Sequence, residues 1–423
     1  MSPVRPAVRV VGRRLDPAAH RLRDFLTRVA QPFEWLDADA PEGTAALGEH
    51  GVPADALPVL IEDGGQVLAP ATVERIAEAW RLNPPPTRRA YDLVIVGAGP
   101  AGLAAAVYAA SDGLSTLVLE HDVPGGQASH TSLIENFFGF PDGIGGAELA
   151  RLAGRQAERF GAELLIMRGV TGSRRSGGDG TFAIDVAGGH EVEARAVIAA
   201  PGMVWRRLEA PGVEDLVGRG VYYGAGRSEA QQCGGDPVVV VGAGNSAGQA
   251  VMHLGDAGAR VTMLVRGDRL GASMSKYLVD RIAVHPRIDV RFRTQVAAVR
   301  ADGDRLTEVR VSEAGGDETG IPARGLFLCL GGVPRTGWAA ENAVRLDPAG
   351  FILTGPDLLD AGRRPDDWPL PRDPLALETS VPGLFAAGDV RHGSTKRVAG
   401  AVGEGAMAVA LVHRRLEELA RAG

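Results

Sequence analysis

Two runs of consecutive apolar residues stand out along the chain, Leu93-Val94-Ile95-Val96 and Val238-Val239-Val240-Val241. Neither alternates with polar positions, so each predicts a parallel strand buried on both faces. Each leads into a glycine-rich turn and then a helix of small residues, Leu103–Ser111 in the first case and one ending at Leu254 in the second. A further strand follows each helix, Ser115–Leu119 and Arg260–Val265. The order strand, glycine turn, helix, strand therefore occurs twice, which predicts an α/β fold with two dinucleotide-binding, Rossmann-like domains. Around these copies the pattern predicts a helix over Gly145–Phe160. It also predicts a meander of Thr181–Val186 and Glu191–Val197 about Gly188-Gly189, strands over Ala196–Ala200 and Gly325–Leu330, and a small-residue helix over Gly400–Ala410.

Ahead of the first copy lies a shorter series. Val8–Val11 reads as a strand, and Pro17–Val29 has helical spacing at Leu22, Phe25, Leu26 and Val29. Asp16 is a suitable N-cap for it, with Pro17 at the first helical position. Phe33–Leu36 is a strand, and a third opens at Leu57-Pro58-Val59-Leu60-Ile61 and turns at Gly64-Gly65 into Gln66–Leu68. Ala71–Trp80 closes the series as a helix. Asn83-Pro84-Pro85-Pro86-Thr87-Arg88-Arg89 then reads as a stiff polar linker. The boundaries expected from this are residues 1–85, 90–205, 206–332 and 333–423, the last returning to the first dinucleotide domain.

The glycine turns carry the chemistry. Gly97-Ala98-Gly99-Pro100-Ala101-Gly102 fits G-x-G-x-x-G. Gly97 allows the tight turn, Gly99 lets the backbone approach a pyrophosphate, and Gly102 lets the helix pack on the strand. Free N–H groups at the helix start then hold phosphate. Glu120, at the end of the next strand, stands where a carboxylate accepts from a ribose hydroxyl. The second copy, Gly242-Ala243-Gly244-Asn245-Ser246-Ala247, is a G-x-G-x-x-A variant. Its matching strand ends in Arg266, a residue that pairs with a 2′-phosphate rather than a hydroxyl. This points to NADPH at the second site; the alternative for Arg266 is a plain surface cation.

Composition narrows the partners. The 423 residues suffice for about three domains at ~150 residues each, with 45% hydrophobic and 23% charged residues. A net charge of −7 without a long basic run speaks against nucleic acid. No apolar run reaches the ~18 residues of a membrane span, and the N-terminus lacks an apolar signal core. The two cysteines, Cys233 and Cys329, lie far apart in sequence and suit a reducing cytoplasm. No metal-binding cluster is apparent.

After Glu120 come Gly125-Gly126-Gln127, Ile134-Glu135-Asn136 and Phe140-Pro141. Here the chain resembles the thioredoxin reductase group of pyridine nucleotide-disulfide flavoproteins. Thr379-Ser380-Val381-Pro382-Gly383-Leu384-Phe385-Ala386-Ala387-Gly388-Asp389 matches that group's T-x-x-P-G-[LVI]-[FY]-A-x-G-D signature. The resemblance covers residues 90–420 apart from an inserted, Asp-, Arg- and Pro-rich segment, Leu358–Pro374, expected as a surface loop. It implies FAD in the first domain, held by Gly97, Gly99, Pro100, Ala101, Gly102 and Glu120. Gly126, Gln127 and Asn136 would lie along the flavin, with Gly388 and Asp389 at its ribityl and phosphate region. Lys396, Arg397 and Val398 would meet its pyrimidine edge. It implies NADPH on Gly242, Gly244, Asn245, Ser246, Ala247 and Arg266, and a homodimer. Departures are Pro201 where the group has Thr in A-T-G, Arg335 where it has Asn in G-x-x-P-N-T, and Val265-Arg266-Gly267 in place of H-R-R, with Arg269 nearby. The N-terminal series resembles a glutaredoxin or thioredoxin-like domain, with Pro58 in its cis-Pro position and no cysteine about Gly12–Leu15.

The group's redox CxxC should fall at Ala225-Gly226-Arg227-Ser228, which holds no thiol. A dithiol relay needs two thiols, one to attack and one to resolve. The expectation is an FAD-dependent, NADPH-linked oxidoreductase that passes electrons through flavin to some other acceptor, whose identity the sequence does not give. Alternatives are a flavin oxidase or tailoring enzyme acting on a small molecule, a ferredoxin–NADP reductase-like enzyme, and a non-catalytic redox sensor. Weak catalytic candidates are His130, in the loop beside the flavin, as proton donor, and Cys233, in a helix-like segment Glu229–Cys233, as a single thiol.

Overall fold

The computed structural model describes residues 7–176, 180–224, 233–272, 274–313, 316 and 318–422. The chain divides into two units. One holds Met1–Ile76, His130–Ile134 and Trp205–Gly332; the other holds Ala77–Ser129, Glu135–Val204 and Val333–Gly423. The family of sheets is α/β throughout, with parallel strands at the centre of each nucleotide-binding part.

In the second unit the strands Glu163–Leu165, Thr116–Leu119, Ala90–Val96 and His190–Ala199 run side by side and parallel. Leu93, Val94 and Ile95 are fully buried because both faces of this strand are covered. Leu93 and Ile95 join Ala101, Ala105 and Ala109 of helix Pro100–Ser111 in one core. Val94 joins Phe182, Ile184 and Val192 in another. His190–Ala199 changes partner along its length. Its first half pairs antiparallel with Thr181–Val186, and Val197–Ala199 pair in parallel with Leu384–Ala386. The two strands expected over Glu191–Val197 and Ala196–Ala200 are therefore one. Helix Gly146–Phe160 forms as expected, ending at Gly161 with φ of 100°. The last helix runs over Val398–Ala422, beyond Ala410, because buried Val412 and Leu416 continue its apolar stripe.

Two features of this unit depart from the pattern-based reading. Val170–Ser176 is a strand, antiparallel to Thr181–Val186, although Thr-Gly-Ser-Arg-Arg-Ser shows no apolar alternation. Leu358–Pro374 is mostly exposed but is more than a surface loop. It buries Trp368, and it inserts Arg372 between Glu378, whose side chain is 0% exposed, and Glu418.

The first unit has a parallel sheet in the order Val221–Tyr223, Gly325–Leu328, Pro237–Val241, Arg260–Val265, Ile288–Phe292. Helices Asn245–Asp256 and Lys276–Val284 accompany it, and Thr294–Asp302, Arg305–Glu313 and Glu318–Pro322 form an antiparallel sheet. The N-terminal series has its own four-stranded sheet, in the order Phe33–Asp37, Val8–Gly12, Val59–Glu62, Val67–Leu68. The first pair is parallel and the rest antiparallel. Its helices are Pro17–Arg28, Pro41–Glu49 and Val73–Ala79, and the Leu57–Pro58 peptide is cis. Asp16 caps the first helix by accepting from Ala18 and Ala19 N–H at 3.4 and 2.9 Å.

His130 belongs to this unit, where its Nδ1 lies 3.3 Å from Asp24 Oδ1. Burial alone would raise the Asp24 carboxyl, but the hydrogen bond and charge of His130, with Arg28 and His20, hold it down at about 2. A carboxyl depressed in the fold stabilises it above the unfolded value of ~3.9 and loses that contribution as pH falls through the folded value. Asp24→Asn should lower stability by on the order of 2 kcal/mol near neutral pH. Thermal unfolding as a function of pH checks this: the gap between wild type and variant should close as pH drops from about 4 towards about 2.

Candidate functional site

In the second unit the first glycine turn is shaped by backbone contact. Gly97 has φ of 103°, and a Cβ there would sit 2.3 Å from the Ala200 carbonyl oxygen. A Cβ on Gly102 would sit 1.8 Å from the Gly97 carbonyl oxygen, so the helix start is pressed onto the turn. Gly99 differs: a Cβ on it would meet no atom within 4 Å. Packing does not demand that glycine, and the open backbone suits close approach of a diphosphate. Helix Pro100–Ser111 begins here, and the first-turn N–H groups have no partner within the helix.

Four other segments converge on this turn. Glu120, 4% exposed, accepts from Ala98 N–H at 2.7 Å and Asp122 N–H at 3.0 Å. Burial opposes its ionisation, but His121 Nδ1 at 2.6 Å and the two N–H groups hold the carboxyl below its ordinary value. Arg335 in turn hydrogen-bonds the His121 ring. The residue that departs from the G-x-x-P-N-T pattern thus sits over the partner of Glu120. Gly125 N–H donates to the Ala98 carbonyl at 2.7 Å, which brings Gly126 against Gly99. Gln127 donates through Nε2 to the Met203 carbonyl at 2.9 Å. Asn136 is exposed, and no hydrogen bond among the described residues joins it to the cluster.

Gly388, with φ of 79°, brings its Cα close to Ala101: a Cβ there would be 3.0 Å from that of Ala101. Asp389 follows at the end of strand Leu384–Ala386. Its carboxylate has no hydrogen-bond partner among the described residues, and burial raises its carboxyl above the ordinary value. A half-buried carboxylate with unused acceptors fits a polyhydroxyl or hydrated phosphate ligand. Glu404 was not singled out by sequence, yet it organises this turn. It accepts from Gly388 N–H at 2.7 Å and from Arg391 at 2.7 Å. Lys396 is folded back: its Nζ donates to the Asp389 carbonyl at 2.6 Å and to Ser394 Oγ at 2.8 Å, over the Phe351 ring. Burial lowers its ammonium pKa. Lys396 therefore braces the 389–394 turn. Arg397 is exposed, and Val398 opens the last helix, so the N–H groups at that helix start are unpaired within it.

The second turn, in the first unit, repeats the geometry. Gly242 has φ of 146°, and a Cβ on it would be 2.5 Å from the Cys329 carbonyl oxygen. Gly244, like Gly99, meets nothing within 4 Å. Ala247 is fully buried against the turn, and Ser246 is exposed at the helix start. Asn245 Oδ1 accepts from Ser275 N–H at 2.7 Å, so this oxygen holds the next helix in place rather than a ligand. Arg266 and Arg269 are both exposed just beyond the strand end.

A family model for pyridine nucleotide-disulphide oxidoreductases matches residues 91–405. The chain belongs to that family. It is 35% identical to a thioredoxin reductase of Listeria innocua over 339 residues, covering 78% of this chain and 96% of the relative. It is 33% identical to the thioredoxin reductase of Bacillus subtilis over 331 residues, covering 78% and 96%. The solved thioredoxin reductase of T. acidophilum superposes with a TM-score of 0.68 at 30% identity, over 77% of this chain and 99% of that one. The protein is thus a thioredoxin reductase-like, FAD- and NAD(P)-dependent oxidoreductase, and the family uses FAD and NADPH.

The chemistry of the donor set fits those cofactors, with two open glycines at two helix starts, an acid after one and an arginine after the other. The weak catalytic candidates fare differently. His130 ends a 3-10 turn, Gly126–His130, pairs with Asp24 and lies edge-on to Trp205 at 6.2 Å. Its imidazole is engaged by an acid, Asp24. Cys233 is buried, is not in a disulfide and lies in no helix; Glu229 and the stretch Ala225–Ser228 lie outside the described residues. Cys329 is also buried, which pushes its thiol up to about 12. Among the described residues no group of side chains could hold a metal ion, and no helix is long and apolar enough to cross a membrane.

The contrast between Gly99 and Gly102 gives a test. Gly102→Ala should destabilise the protein by roughly 1–3 kcal/mol, seen as a lower Tm, because backbone must move. Gly99→Ala should leave the Tm of cofactor-free protein unchanged while weakening FAD retention, read from flavin absorbance after gel filtration.

Proposed function

We propose that this chain is an NADPH-linked flavoprotein reductase that delivers electrons to an acceptor without a redox disulfide of its own. The observation that carries the reading is that its only two cysteines are far apart in sequence, both buried, and not joined in a disulfide. Neither is open to a protein disulfide, since attack needs an accessible sulfur and both are buried. Bound FAD would take a hydride from NADPH and return electrons to the acceptor, chemistry the cofactor itself supplies. The residues' part is positional. Gly97 to Gly102 hold the diphosphate at a helix start, Glu120 accepts from a ribose hydroxyl through the lone pairs its N–H partners leave, and Asp389 accepts from the sugar chain. In the other unit Gly242, Gly244, Ser246 and Ala247 receive NADPH, and Arg266, with Arg269 beside it, pairs with the 2′-phosphate. His130 and Lys396 brace turns and carry no proton in this scheme.

We read residues 1–85 as a thioredoxin-like domain without thiols, supported by its sheet order and its alternation of strands and helices. A homodimer in the cytoplasm accords with the resemblance and with two reduced cysteines. A flavin oxidase, a ferredoxin–NADP reductase-like enzyme and a sensor are the competing readings, and flavin bleaching separates them.

The expected result is rapid anaerobic bleaching of flavin absorbance near ~450 nm on mixing with NADPH, unchanged in Cys233→Ser. Absence of bleaching with NADPH would overturn the reductase reading in favour of an oxidase fed by an organic substrate. Arg266→Glu should raise the NADPH concentration for half-maximal bleaching by about 10- to 100-fold, as expected for loss of a charge-assisted pair, and leave that for NADH nearly unchanged.

A further inference from the structure

The first helix of the N-terminal domain buries a charged side chain, which is rare unless the charge has partners. Arg23, on Pro17–Arg28, is 2% exposed. Its guanidinium lies 4.2 Å from the Trp35 ring centre and donates to the Arg14 carbonyl at 3.3 Å. The loop held in this way carries Arg14 to Asp236, 3.1 Å away, beside the central strand of the second glycine domain. At the helix start, a Cβ on Gly218 would stand 3.2 Å from Pro17 Cα and 3.5 Å from His20 Cδ2. The His20 ring packs at 4.9 Å on Tyr222, which stacks at 5.4 Å on Phe327 in the sheet core. Tyr222 lies on Val221–Tyr223, the outermost strand of that sheet, so the helix lies against it. One turn on from His20, Asp24 pairs with His130, at the end of the 3-10 turn Gly126–His130. A single helix face and the loop before it thus meet three separate stretches of chain, by shape at Gly218, by ring contact at Tyr222 and by opposite charge at Asp236 and His130.

We propose that the N-terminal domain is a fixed clamp, docked on the second glycine domain through helix Pro17–Arg28, and that the Asp24–His130 pair ties this docking to the turn carrying Gln127. The domain contributes no redox chemistry, since residues 1–85 contain no cysteine. Its part is to keep the Gly126–His130 turn ordered. The docking stands on contacts alone; its consequence for cofactor retention rests on the reading of Gln127 as a flavin contact.

Hydrogen–deuterium exchange on the full chain tests the docking without any nucleotide. Arg14→Glu should raise exchange over residues 17–28 by repelling Asp236, and Arg14→Glu/Asp236→Arg should restore protection. Unchanged exchange in the single variant, or no restoration in the swapped pair, would overturn the docking. Asp24→Asn and His130→Gln should each raise exchange over 126–130, the double variant no further than either one. Exchange there that ignores both substitutions would overturn the tie. Each single variant should also weaken FAD binding by about fivefold or more. Looser exchange at 126–130 with FAD affinity unchanged would refute the consequence for the cofactor and leave the docking intact. A wild-type chain that binds no FAD would instead count against the reductase reading, with the clamp still decided by exchange.

Discussion

Three backbones meet at Ala101–Gly102 with no room for a side chain. Gly102 presses on the Gly97 carbonyl, and a Cβ at Gly405 would come 2.1 Å from the Ala101 carbonyl oxygen. Gly388 closes on Ala101 from the third side. Interiors are close-packed, so a methyl group at Gly102 or Gly405 must move backbone, and one at Gly388 would press on the Ala101 side chain. Helix Val398–Ala422, the strand delivering Asp389 and the first glycine turn are therefore held in one arrangement. The turn of Gly388 is fixed further by Glu404, whose carboxylate holds a backbone N–H and Arg391 together. The chemistry attributed to this unit depends on that fixed geometry more than on any single charged side chain.

The first unit solves the same problem with different residues. Gly242 packs on the Cys329 carbonyl, and Ala247 fills the place that Gly102 takes in the other unit. Cys329 is thus a core residue beside a nucleotide turn, and burial keeps its thiol protonated. The two turns differ where discrimination between nucleotides is needed, in the residue ending the following strand. Glu120 is buried and tied to its own loop, whereas Arg266 is exposed. That asymmetry suits one tightly held cofactor and one that comes and goes.

Much of the fold was legible because its central strands are continuous apolar runs that end in glycine signatures. The spacing at Leu22, Phe25 and Leu26, with Asp16 as cap, was equally sufficient for the first helix. What pattern could not supply was pairing across long separations. Val170–Ser176 has polar residues on both faces and becomes a strand only because Thr181–Val186 offers a partner. Arg372 reads as one charge in a polar insertion, yet it bridges two acids, the buried Glu378 and the partly exposed Glu418 of the last helix. Among the site residues, the glycines and Asp389 were readable from motifs. The engagement of Asn245, Lys396 and His130 was not, since each is satisfied by a partner that local sequence does not indicate. Glu404 carried a faint signal, an acid in the second turn of a helix that opens with small residues.

The central claim is that flavin is the only redox centre in the chain, so the most direct test counts electrons. Anaerobic titration of the FAD-loaded protein with dithionite, followed by flavin absorbance and thiol count, should end after about two electrons per flavin with no thiols gained. Uptake of about four electrons, with two new thiols, would show a working disulfide and contradict the account.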